Sequence, residues 1–243
     1  MTNEMAVQPL APALVQALQH VCTATLTTVL LKKGLRNVWM RGTRPLAPHQ
    51  GRRIGRAFTL RFVPAREDLA TPASWGNPIS TRAAIEAMPP GVIAVVGAMG
   101  VTDAGIFGDI LCARMAARQV GGLVTDGVVR DVPGVLASRL PVWCQGTAAP
   151  PSVAGLTFVG WQEPVGCGGV AVFPNDVVVA DDDGAVLIPA ALLESVVAEA
   201  VEQERLEAWI MQEVQAGAKL PGLYPPDEGN RARYEAWKRG RGH

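Results

Sequence analysis

Apolar residues along this chain follow two periods, and the switches between them mark the elements. Between residues 9 and 33, Leu14, Val15, Leu18 and Val21 recur at helical spacing, and Lys32-Lys33-Gly34 supplies a C-terminal stop. Residues 54–63 (IGRAFTLRFV) alternate with a period of two and predict a strand. From Pro64 to Ser80 the pattern dissolves into a Pro-, Ser- and Asn-rich loop. Arg82–Met88 predicts a short helix, broken by Pro89-Pro90-Gly91. Val92–Val96 is an unbroken aliphatic run, the mark of a strand buried on both faces, as in a parallel sheet. A glycine-punctuated loop leads to Asp109, which opens a helix through Gln119 with Gly121-Gly122 as its stop. Leu123–Thr125 is the next strand, and the turn Asp126-Gly127 leads to Arg130-Asp131. The result is a strand–helix–strand unit.

Further along, Val170–Phe173 and Val177–Ala180 read as strands separated by Pro174-Asn175. Asp181-Asp182-Asp183-Gly184 is a tight acidic turn before a strand at Ala185–Ile188. Ala190–Ala216 predicts a long helix stopped by Gly217. The segment 218–243, rich in Pro, Gly and Arg, is expected to wrap the surface as a tail. No internal repeat or linker interrupts the chain. The pattern predicts one compact α/β domain over residues 1–243, with a parallel-sheet core, an N-terminal helical segment at 9–34, and a C-terminal helix plus tail.

Composition narrows the functional classes. Of 243 residues, 49% are hydrophobic and 18% charged, enough for a large core and too little charge for disorder. Lys+Arg and Asp+Glu both number 22, so the basic excess of a nucleic-acid binder is missing. No apolar run is long enough for a membrane span. Met1–Ala13 lacks the basic start and apolar stretch of a signal peptide. Cys22, Cys112, Cys144 and Cys167 are scattered, without a CxxC pair. Reduced thiols in a cytoplasmic protein are the expectation.

Chemistry converges on Gly108–Asp131. A helix from Asp109 to Gln119 advances about 16 Å. The strand that follows returns the chain toward the helix's starting edge at about 3.3 Å per residue. Arg130 and Asp131 should therefore land beside Gly108 and Asp109, at the carboxyl edge of the sheet, where α/β proteins bind ligands. The helix start offers the free N–H groups of Ile110 and Leu111 to a substrate carboxylate. Gly108 permits close approach. Asp131 is a hard oxygen ligand for a cation such as Mg²⁺. Arg130 can meet a developing enolate oxygen, and Asp109 can hold a water or relay a proton. Singly, each has a plainer reading: Asp109 as an N-cap, Asp126-Gly127 as a turn, Arg130-Asp131 as a surface ion pair.

The residues Gly108-Asp109-Ile110-Leu111, then Gly121 through Asp131 (GGLVTDGVVRD), resemble the 4-hydroxy-4-methyl-2-oxoglutarate / 4-carboxy-4-hydroxy-2-oxoadipate aldolases. Their superfamily also includes the regulator of ribonuclease E activity A. The aldolase branch is marked by Asp, twenty residues, then Arg-Asp. Here twenty residues separate Asp109 from Arg130, and Asp131 follows. The regulator branch departs from the motif at its first acidic position, which this chain keeps. Gly55–Thr59, Pro89–Val92, Gly168–Val170 and Asp183-Gly184 extend the resemblance, and Asn175 stands where the family commonly has Gly. The segments Thr23–Gly34 and Leu223–Trp237 are similar to a longer subgroup labelled ribonuclease activity regulators.

The resemblance implies a swivelling β/β/α fold, trimers or hexamers, and a site near a subunit boundary. A neighbouring subunit's glutamate helps hold a water in these aldolases. Glu199 and Glu202 are candidates, although a solvated helix face explains either. The implied reaction is retro-aldol cleavage of a 4-hydroxy-2-oxo acid, releasing pyruvate, with oxaloacetate decarboxylation as a side activity. Lys32, Lys33, Lys219 and Lys238 lie outside the motif and look exposed, which disfavours a Schiff base. His20, His49 and His243 lack zinc-ligand spacing, which favours Mg²⁺ or Mn²⁺ on Asp131. Two alternatives stand: a non-catalytic protein-binding regulator of ribonuclease E, and another enolate-forming lyase, a dehydratase or decarboxylase, on a sugar-derived 2-oxo acid. Arg66 and Arg82 can meet a second carboxylate, with surface salt bridges as the plainer reading.

Overall fold

The computed structural model describes residues 7–240. The readings of Met1–Ala6 and of His243 lie outside the described residues. The N-terminal helical segment is two helices, α1 (Pro12–Leu18) and α2 (Thr23–Lys32), bent by 105°. Long-range bonds make the break. The Cys22 N–H donates to Glu204 at 2.8 Å, and both the N–H and hydroxyl of Thr23 donate to the Asp181 carboxylate, at 2.9 and 2.6 Å. Gly34, at φ +86°, ends α2 as expected, with Leu35 N–H reaching back to the Leu30 carbonyl at 2.9 Å.

Short strands β1 (Trp39–Met40) and β2 (Arg44–Pro45) precede the long β3 (Arg53–Pro64). Helix α3 (Thr81–Ala87) leads to β4 (Ile93–Gly97), buried throughout, and α4 (Asp109–Ala117) to β5 (Gly122–Thr125). Then come β6 (Val128–Val129), α5 (Val132–Ala137), β7 (Val142–Cys144), β8 (Gly146–Thr147) and β9 (Leu156–Trp161). The hairpin β10 (Val165–Cys167) and β11 (Val170–Val172) is followed by β12 (Val177–Asp181) and β13 (Gly184–Ile188). Helices α6 (Leu193–Gln215) and α7 (Glu228–Gly240) complete the chain.

The main sheet is mixed, in the order β1-β13-β12-β3-β4-β5-β7-β2, with β9 also paired to β3. Its centre, β3-β4-β5-β7, is parallel. Successive residues of these strands face opposite cores. Phe58, Leu60, Ala94 and Val96 pack with α3, α4 and α5, while Ala57, Ile93, Val95 and Trp143 pack beneath the β10–β11 hairpin. A third core joins α1, α2 and α6 to β12 and β13. The mixed α/β architecture with its parallel centre is the one the pattern predicts.

Three expectations are corrected. Helix α4 ends at Ala117 rather than running through Gln119, and its stop is Gln119 rather than Gly121-Gly122: Gln119 takes φ +61°, and Val120 N–H reaches the Met115 carbonyl at 3.0 Å. Gly121 and Gly122 serve close packing instead, since a Cβ on either would lie 3.2–3.3 Å from backbone carbonyls of Gly91 or Pro141. The tail, largely exposed, carries a helix that the sequence reading did not expect. Tyr234 of α7 packs with Trp209, Ile210 and Leu223 in a small core of its own. And Asp126 is more than a turn residue. It is 6% exposed, and its carboxylate accepts the Ala98 N–H at 2.7 Å and the Gly168 N–H at 3.2 Å. Asn175 sits at φ +72°, a conformation asparagine tolerates, which explains how it occupies a glycine position. Among the described residues no single helix is long and apolar enough to cross a membrane.

Candidate active site

Backbone bonds bring the two halves of the motif together. The segment Gly105–Phe107 runs beside β6, with Ile106 N–H donating to the Val128 carbonyl and Arg130 N–H to the Phe107 carbonyl, both at 2.9 Å. That fixes Arg130 and Asp131 against Gly108 and the start of α4, as the chain-return geometry predicts. Asp131 is the residue before α5 and takes φ +55°, ψ +44°. A non-glycine residue held there costs roughly 1 kcal/mol or more and concentrates at functional sites.

Glycines make the juxtaposition possible. A Cβ on Gly108 would lie 2.5 Å from Asp131 Oδ2; one on Gly105 would lie 2.8 Å from Arg130 Cβ; one on Gly134 would lie 2.5 Å from Asp109 Cβ. All three candidate side chains thus rest on bare backbone. Gly105 and Gly134 carry no local signal for this role, because the contacts they permit are tertiary. We expect Gly108→Ala to displace the Asp131 carboxylate; if Asp131 holds Mg²⁺, the affinity should fall about tenfold or more. Titration calorimetry with Mg²⁺ checks it, with unchanged affinity as the contrary result.

A cavity of about 360 Å³ opens over this edge, lined among others by Arg82, Gly108, Asp109, Leu111, Arg130 and Asp131. The Arg130 Nε donates to Asp131 Oδ2 at 3.1 Å, and the two side chains are 34% and 46% exposed, so the pair faces the opening. The cradle differs from expectation at one atom. Gly108, not Asp109, caps the helix, and the Asp109 carboxylate folds back to accept the Ile110 N–H at 2.7 Å. The Ile110 N–H is therefore not free; the Leu111 N–H, third in the helix, has no intrahelical partner by position. Ile110 itself is 78% exposed. Beneath the site, Cys112 is fully buried. Burial first, then the negative charge of Asp109 and coupling to the neighbouring Cys144 thiol, push its thiol up to about 12, so it stays protonated and inert.

The donor set bears on the cation. Among the described residues, no three His, Cys, Asp or Glu side chains gather into a cage. A half-exposed carboxylate at a cavity mouth suits Mg²⁺, which keeps several waters and takes one or two carboxylates. It does not suit a structural zinc centre.

The remaining candidates divide. Glu199 pairs with Lys33 at 2.6 Å, and Glu202 accepts from Tyr234 at 3.0 Å and Lys238 at 2.8 Å, so both are engaged within the chain on α6. Lys32 bonds Gln203, and Lys33 and Lys238 are half-buried rather than exposed, each holding acidic partners. Among the described residues no lysine lines the cavity. Arg66 forms a surface ion pair with Asp68 at 2.6 Å, the plainer of its two readings. Arg82 does not. It lies over the Trp75 ring at 4.8 Å and faces the cavity. Trp75 and Ser152 also line the opening and are absent from the sequence-based set, because they come from loops without periodic pattern.

A family model described as RraA-like, Aldolase/RraA, matches residues 20–187. The chain is 34% identical over 133 residues to a Halalkalibacterium halodurans protein named "Putative 4-hydroxy-4-methyl-2-oxoglutarate aldolase", covering 54% of this chain and 62% of that protein. It is 28% identical to Legionella pneumophila Protein DlpA, covering 86% of this chain and 33% of that protein. The match thus spans less than two thirds of either relative's length. Among solved structures, Streptomyces coelicolor RraAS2, described as an unusual member of the RNase ES inhibitor RraA protein family, superposes with a TM-score of 0.74 at 34% identity, covering 83% of this chain and 97% of its own. An uncharacterized protein from Pseudomonas syringae superposes with a TM-score of 0.75 at 26% identity, covering 89% and 99%.

Proposed function

The chain belongs to the Aldolase/RraA family, and from that membership together with the geometry of its cavity we propose that it is a divalent-metal-dependent aldolase releasing pyruvate from a 4-hydroxy-2-oxo acid. The observation that carries this reading is the gathering of Asp109, Arg130 and Asp131 around one opening at the sheet's carboxyl edge.

Each residue has a task. The Leu111 N–H and the positive end of α4 receive the substrate carboxylate. Asp131 would hold Mg²⁺ or Mn²⁺, which supplies Lewis-acid polarisation of the keto group when bound. Arg130 faces the keto oxygen and stabilises the charge it gains as an enolate. Asp109 takes the proton of the C4 hydroxyl, directly or through a water. The C3–C4 bond then breaks, its electron pair forms the pyruvate enolate, and the C4 oxygen becomes a carbonyl. Protonation at C3 yields pyruvate. Oxaloacetate loses carbon dioxide through the same enolate, which makes decarboxylation the expected side activity. A homo-oligomer, trimer or hexamer, with the exposed Ile110 near a subunit boundary, is part of this proposal.

Exhaustive EDTA treatment is expected to abolish pyruvate release, and added Mg²⁺ or Mn²⁺ to restore it. Activity that survives chelation rules out the metal. The likeness to the Streptomyces RraA-family protein favours a second reading, a protein-binding regulator of ribonuclease E. A binder has no use for a carboxylate–arginine pocket held in strained backbone, so we place it second. Capture of ribonuclease E by a chain that releases no pyruvate would reverse the order.

A further inference from the structure

We propose that Arg82 is a specificity-determining residue, an anion receptor that reads a second carboxylate at the far end of the substrate. The proposal rests on the 2-oxo acid reading of the cavity and names what that cavity selects.

Arg82 is the second residue of α3, whose first turn contains no acidic residue. A cation at a helix N-terminus meets the positive end of the dipole and is unfavourable there. Nothing local offsets this. Glu86, one turn further along the same helix, is committed to Arg114 at 2.7 Å and to Arg118 at 3.2 Å. Among the described residues no carboxylate forms an ion pair with Arg82; its bonded contact is the Thr81 hydroxyl at 3.4 Å. Partial burial lowers its pKa, as expected for a charge drawn from water without an anion beside it.

What holds the side chain is Trp75, whose ring lies 4.8 Å from the guanidinium carbon. Contact with the ring face leaves the in-plane N–H fork available, and that fork matches a carboxylate. Arg82 and Trp75 line the same opening as Arg130 and Asp131. The cavity therefore has two cationic groups, one beside the metal-ready carboxylate and one without an acid of its own. A 2-oxo acid whose first carboxylate lies at α4 would present its second to Arg82.

Calorimetric titration of pyruvate and of 2-oxoglutarate, each with Mg²⁺, tests this without requiring turnover. Native protein should bind the diacid more tightly. Arg82→Gln should lose about ten- to a hundredfold in 2-oxoglutarate affinity and less than about twofold for pyruvate. Arg82→Lys, which keeps the charge but not the planar fork, should fall between. Equal losses for both ligands would mean that Arg82 merely props the loop, and native protein that binds the diacid no better than pyruvate overturns the proposal. If the selective loss appears in a protein that releases no pyruvate from any substrate, the lyase reading fails and the receptor stands.

Discussion

Arg130→Ala is expected to lower kcat/KM for pyruvate release by about a hundred- to a thousandfold, the usual cost of removing one donor aimed at a developing oxyanion. The fold should survive. Arg130 is one-third exposed, and its backbone N–H bond to Phe107 persists in the variant. Alanine also keeps the Cβ that packs against bare Gly105. The substitution removes the Nε contact to Asp131, which is solvent-facing and worth little to stability. A variant with native thermal unfolding and full activity would remove Arg130 from the mechanism. A variant that fails to fold would show the pair to be structural. Steady-state kinetics beside a thermal melt separate these outcomes.

The largest expected effect on stability lies a few residues upstream. Asp126→Ala should cost about 2–4 kcal/mol, because it leaves the buried N–H groups of Ala98 and Gly168 without their acceptor. These bonds tie the end of β4 to the β10–β11 turn, so the loss also loosens the loop leading to the site. The carboxyl has a pH signature. Burial, opposed by its backbone bonds, raises its pKa from the ordinary aspartate value. The folded state therefore binds this proton more readily than the unfolded chain. The contribution is fully present below the ordinary carboxylate value and is lost as pH rises through the raised folded value. Denaturant midpoints should show that decline in the native chain and not in Asp126→Asn, which cannot titrate. Identical pH profiles for the two would contradict the assignment.

Asp126 also shows where sequence reading stops. An Asp-Gly pair between two apolar runs has every local mark of a turn, and it is one. Its burial depends on a loop 42 residues away, which no local pattern records. The break between α1 and α2 has the same origin, since Asp181 and Glu204 make it from more than 150 residues away. Gln119 ends α4 in a left-handed conformation that glutamine does not advertise. Helix α7 was hidden by its charge, although Tyr234 and Trp237 sit at helical spacing and the Asp227 carboxylate accepts the Asn230 N–H at 2.8 Å. Elements whose apolar period is set by the sheet itself were legible. Strand β3 follows from its period-two alternation, β4 and the parallel centre from the unbroken aliphatic run at Val92–Val96, and the meeting of Gly108 with Asp131 from helix and strand lengths alone. Side-chain direction did not follow. The Asp109 carboxylate turning onto Ile110, and Arg82 stacking on Trp75, depend on neighbours that only the fold supplies.

The central claim is cleavage of a 2-oxo acid at the Asp109–Arg130–Asp131 edge. Its most direct test is a coupled assay for pyruvate, with 4-hydroxy-4-methyl-2-oxoglutarate and related 4-hydroxy-2-oxo acids supplied together with Mg²⁺ or Mn²⁺. Pyruvate is expected from at least one of them, at a rate proportional to protein. No pyruvate from any, in a folded and metal-supplemented protein, would contradict it.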